Sequence, residues 1–94
     1  MNRILEEYVG KIVQMEIESS PDVYFVYGGF QDHNEEFVTL NPSYVSGDEL
    51  GRDQVLSSLA QENDGKQSVR RDLVRRIREL NITSKDILDE ASER

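Results

Sequence analysis

The chain has 94 residues and a formal net charge of −8, with hydrophobic residues at 36% and charged residues at 32%. That length allows one small core and leaves little room for a deep active site. The absence of cysteine excludes disulfide stapling, thiolate catalysis and thiolate metal sites together. Three Phe and four Tyr, with many aliphatic residues, set the chain apart from a disordered one. Oligomerisation is the expected extra source of stability for so short a chain. The N-terminus lacks an apolar leader and no run reaches membrane-spanning length, so the expectation is a cytoplasmic protein with no membrane partner.

In chain order, Ile4, Leu5, Tyr8 and Val9 share one helical face and Gly10 follows, predicting a short N-terminal helix. Val13, Met15 and Ile17 then alternate with Gln14, Glu16 and Glu18, the pattern of a half-buried strand. Ser19 to Asp22 is a turn. Val23-Tyr24-Phe25-Val26-Tyr27 is apolar on both faces, which suits a central or interface strand, and Gly28-Gly29 permits a bend or bulge. Asp32 to Glu36 reads as a polar turn, and Phe37-Val38-Thr39-Leu40 as a third strand that Asn41-Pro42 ends.

Residues 46–66 fit either a helix or a strand, because Val55, Leu56, Leu59 and Ala60 share a helical face while Val55, Ser57 and Leu59 alternate. Asn63-Asp64-Gly65 marks a break. Beyond it Val69, Leu73, Ile77 and Leu80 have the spacing of an amphipathic helix with Asn81 as its cap. Thr83 with Asp86 resembles a capping box opening a last helix that would bury Ile87, Leu88 and Ala91. The expected division is therefore a body over residues 1–62 and a basic helical hairpin over residues 63–94.

Charge divides along the same line. Residues 1–50 hold two basic and ten acidic side chains, whereas the remainder is neutral overall with Lys66, Arg70, Arg71, Arg75, Arg76 and Arg78 bunched together. On a helix, Arg71, Arg75 and Arg78 would form a ridge opposite the apolar seam, suited to phosphate or to docking on the acidic body. The acidic total disfavours non-specific polyanion binding.

Leu5-x-x-Tyr8-Val9-Gly10-Lys11-x-Val13, the alternating strand, Tyr27-Gly28-Gly29-Phe30 and Phe37-Val38-Thr39-Leu40 together resemble the first motif of the Sm-like family, which includes the Hfq proteins. The resemblance covers residues 4–42. It implies a mainly β fold: a small, strongly bent antiparallel SH3-like (Sm-like) β-barrel with an N-terminal helix and a C-terminal helical extension, assembling as a homo-oligomeric ring. It also implies single-stranded RNA as ligand, with Phe37 stacking on a base, His33 and Asn34 reading base edges, and Arg71, Arg75 and Arg78 holding phosphates. Neither the Arg-Gly of the second Sm motif nor the Lys-His of Hfq occurs downstream, and the fifth strand would come from Gln54 to Ala60. The rival reading is a protein-interaction or assembly module whose barrel is a scaffold and whose C-terminal hairpin binds a partner.

Catalysis has little in its favour. His33 among Asp32, Asn34 and Glu35 offers imidazole and carboxylates, but the cluster reads as a solvated turn. No nucleophile elbow, phosphate-cradling loop or zinc spacing is present. The expectation is a binding protein without catalytic residues, cofactor, metal or small-molecule substrate.

Overall fold

A computed structural model describes residues 5–93. Ile4 of the N-terminal pattern lies outside the described residues. The expected short N-terminal helix is one turn of 3-10 helix, Leu5–Tyr8, followed by β1 (Ile12–Ser19), β2 (Asp22–His33) and β3 (Phe37–Ser46). Helix α1 spans Arg52–Gln61, β4 spans Gln67–Arg70, a 3-10 turn covers Arg71–Leu73, β5 spans Val74–Glu79 and α2 spans Ser84–Ser92. The five strands form one antiparallel sheet in the order β4-β3-β2-β1-β5.

The alternation in β1 holds throughout: Val13, Met15 and Ile17 are fully buried on one face. They build the first core with Tyr8, Val26, Phe30, Val38, Leu40 and Val69. The opposite face of the sheet carries a second core of Ile12, Tyr27, Val55, Leu59 and Ile82, against which Phe25, Tyr44, Leu50 and Ile87 pack. This explains why β2 is apolar on both faces. Tyr24 and Val26 point into the barrel, whereas Phe25 and Tyr27 lie under a helical layer. The cover that a two-faced strand requires comes from the chain's own helices, each fully buried side chain contributing about 1.5–3 kcal/mol.

The bend of the sheet sits at Gly28-Gly29. Pairing of β2 with β3 shifts register between Gly28 and Phe30, so that Gly28 faces Ser43 and Phe30 faces Leu40. The two strands approach too closely there for side chains: a methyl group on Gly29 would stand 2.7 Å from the Asn41 carbonyl oxygen. Asn41-Pro42 therefore does not end β3. It falls at the irregularity, where a missing ladder donor costs nothing, and the strand resumes to Ser46.

The largest correction concerns residues 63–94. They do not form a helical hairpin set apart from the body at residue 62. Gln67–Arg70 pairs with β3 and Val74–Glu79 pairs with β1, so both ends of the sheet come from this tract. The helical spacing of Val69, Leu73 and Ile77 is met differently: all three reach the first core from two strands and the turn between them, while Leu80 joins the second core. Pairing with the exposed edges of β1 and β3 outweighs a local helical period. The undecided stretch supplies α1, not the fifth strand.

The C-terminal capping box is present. The Thr83 side chain accepts from the Asp86 backbone N–H at 3.1 Å, and the Thr83 backbone N–H donates to Asp86 Oδ2 at 2.9 Å. That second bond, first among the causes, holds the Asp86 carboxyl below its ordinary value. The expected buried face of α2 is only partly used: Ile87 is half-buried on the second core, but Leu88 is 68% exposed and Ala91 is exposed.

Candidate interaction site

The β2–β3 hairpin tip is organised by Asn34. Its side-chain oxygen accepts from the backbone N–H groups of Glu36 and Phe37, each at 2.8 Å, and so closes an Asx-type turn. His33 Nε2 lies 2.9 Å from Glu6 Oε1. A carboxylate only accepts, so this nitrogen carries the proton, and the bond ties the N-terminal turn to the hairpin. The imidazole packs against Phe30 at 5.9 Å between centroids, and its Nδ1 is buried with no partner among the described residues.

The turn between β4 and β5 docks on this tip. The Arg71 backbone N–H donates to the Glu36 carbonyl at 2.8 Å, and its guanidinium donates to the Asn34 carbonyl at 3.0 Å. Phe37 stands opposite Arg70 in the β3–β4 register and is 40% exposed. A shallow notch at this corner is lined by Glu35, Glu36, Phe37, Arg70 and Asp72. Arg70 pairs with Asp72 at 2.8 Å. With Arg71 counted, the corner holds three carboxylates, Glu35, Glu36 and Asp72, against two guanidinium groups, and charges act over roughly 8 Å at physiological salt.

Arg75 and Arg78 are elsewhere. Both lie on β5, where Arg75 reaches Glu16 at 3.3 Å and Glu18 at 3.4 Å across the polar face of β1. Arg78 donates to Gln14 Oε1 at 3.1 Å and lies 3.7 Å from Glu49, which itself accepts from Gln14 at 3.0 Å. The anticipated ridge of Arg71, Arg75 and Arg78 does not form, because its helix is replaced by a turn and a strand. His33, Asn34, Phe37 and Arg71 come together; Arg75 and Arg78 face the acidic side of β1.

A second concavity was not foreseen. The four residues of β4 form one wall of a groove whose other side is Tyr24, Val26, Val45 and Leu73. Val45 is 37% exposed. The sequence signal for it was the apolar Tyr24 to Tyr27 run, but the groove depends on the fold bringing Gln67 to Arg70 and Leu73 beside residues of β2 and β3 that are distant in the sequence. Among the described residues no group of three or more His, Asp or Glu side chains is arranged to hold a metal ion.

No protein-family model matches the chain, and no curated protein matches it. Among solved structures, the solution structure of the LSM domain of Dm EDC3 (enhancer of decapping 3) is similar, with a TM-score of 0.51 and 14% sequence identity. The match covers 82% of this chain and 63% of that one, so this chain spans less than two thirds of the length of its structural neighbour. Strand order, strand bend and this likeness define an Sm-like fold.

Proposed function

We propose that this chain is a protein-interaction module built on the Sm-like fold, binding without catalysis and without nucleic acid. The observation that carries the reading is the occupation of the would-be RNA contacts. The Asn34 side-chain oxygen closes its own turn, His33 holds Glu6, Arg71 holds the Asn34 carbonyl, and Arg75 and Arg78 face Glu16, Glu18 and Glu49. Carboxylates around the hairpin tip oppose phosphate, and an overall charge of −8 does so at longer range. Among the described residues the outer edges of β4 and β5 pair with no further strand, and open strand edges are where protein partners add. The expected cytoplasmic setting is kept as part of this proposal.

One observation favours RNA as a second reading: Phe37 is exposed beside Arg70, as a base-stacking platform would be. Fluorescence anisotropy with U-rich, A-rich and mixed single-stranded RNAs at low ionic strength separates the two. The module reading expects no salt-dependent binding. It is overturned by binding whose affinity falls with salt, at a slope of about 0.7 per phosphate contact, and which loses roughly 1–3 kcal/mol in Phe37→Ala.

A further inference from the structure

The two edges of the sheet are unequal. On β5 the register with β1 slips between Glu16 and Ile17, leaving Arg75 as an extra residue, and Arg75, Arg76 and Arg78 line the strand. Bulges and charges are the devices by which proteins keep an edge from pairing. At the other end, β4 pairs with β3 without a slip from Phe37–Arg70 to Leu40–Gln67, contains no proline, and carries a single charge at Arg70. Its open side borders the groove floored by Tyr24, Val26, Val45 and Leu73.

We infer that β4 is a docking edge for an extended segment of another protein, which adds as a strand, places apolar side chains in the groove and a basic side chain at its acidic end. This rests on the protein-interaction reading and names the partner's chemistry. A strand beside β4 would turn every second side chain toward Tyr24 and Val45, so the ligand alternates apolar and polar residues. Charge selects the rest. The C-terminal end of β4 opens onto the notch where three carboxylates, Glu35, Glu36 and Asp72, stand against two guanidinium groups: Arg70, which lines both concavities and is paired with Asp72, and Arg71, which is turned to the Asn34 carbonyl. A Lys or Arg on the incoming segment is favoured there over an acidic residue, and the aromatic face of Phe37 adds to the attraction. A second copy is the poorer occupant: its β5 edge is bulged, and Val74 and Ile77 already pack on their own core.

The test selects a random peptide display library on the full chain and measures chosen synthetic peptides by anisotropy, with backbone amide shifts locating them. The expected result is enrichment of alternating apolar peptides carrying Lys or Arg near one end, with shifts centred on Gln67 to Arg70. Val45→Arg, at an exposed position, should weaken these peptides at least tenfold. Glu35→Lys with Glu36→Lys, in the exposed hairpin turn, should weaken them severalfold and flatten their salt dependence even if the Val45 variant does not fold. Arg76→Gln on β5 should change nothing.

Peptides that bind but are indifferent to both variants, or shift α2 or β5 instead, overturn the β4 proposal while leaving the interaction module standing. A wild-type dimer that Val45→Arg dissociates and the peptides do not would give the groove to a second copy, also overturning it. Absence of any enriched peptide overturns it too, and if salt-dependent RNA binding is found as well, the module reading falls separately.

Discussion

Gly28→Ala tests whether the closeness of β2 and β3 shapes the barrel. Built on the present backbone, the added methyl group would run into the Pro42 carbonyl oxygen and stand 3.0 Å from Ser43 Cα and 3.1 Å from the Pro42 carbonyl carbon. These are main-chain atoms of the paired strand, so no side chain can swing away. Relief requires β3 to move off β2 where both carry buried core residues, Val26 and Phe30 on one strand and Leu40 and Ser43 on the other. Overpacking a core costs about 1–3 kcal/mol, and a rigid backbone obstacle belongs at the upper end of that range. For a domain of this size, about 3 kcal/mol lowers the melting midpoint by roughly 12–24 °C, while leaving part of a total stability of about 5–15 kcal/mol. Thermal melts by circular dichroism and urea titration both read this. Gly47→Ala is the control, since a methyl group there meets nothing within 4 Å and should change stability by less than about 0.5 kcal/mol. A Gly28→Ala midpoint within about 2 °C of the wild type would refute the argument.

Deleting residues 67–94 removes β4 and β5 and uncovers the edges of β1 and β3, so strand signal in circular dichroism should collapse; a folded fragment would show that these strands are dispensable. Tyr27→Phe leaves the Leu50 backbone N–H without the phenolic oxygen that accepts from it at 2.8 Å, a loss of about 1–3 kcal/mol measurable by urea titration, and an unchanged midpoint would contradict it. Burial raises the Tyr27 pKa in the folded state. Stability from the protonated phenol is therefore complete below its unfolded value, near 10, and is lost as pH rises through the higher folded value. Titrating urea stability upward from pH 9 should show the wild type declining more steeply than Tyr27→Phe, and parallel declines would count against the assignment.

Features set by neighbours in the chain were legible before folding. Alternation in β1, the turn at Ser19 to Asp22, the bulge at Gly28-Gly29 and the Thr83–Asp86 capping box each depend on residues at most a few positions apart, and the structure has all four. The two-faced character of Val23 to Tyr27 was legible too, though not what covers it. That cover comes from α1 and α2, which lie downstream, and no local pattern says which of two surfaces a helix will choose. The tract from Val69 to Leu80 misleads for the same reason. Its apolar spacing suits a helix in isolation, but the free edges of β1 and β3 offer a full ladder of backbone hydrogen bonds, and strand pairing satisfies both the backbone and the same apolar residues. The fate of the arginines followed. Their number is a property of the sequence, whereas their partners are separated from them by long stretches of chain: Glu16 and Glu18 meet Arg75 because β5 lies beside β1, and Glu49, between β3 and α1, meets Arg78 where both bond Gln14 of β1.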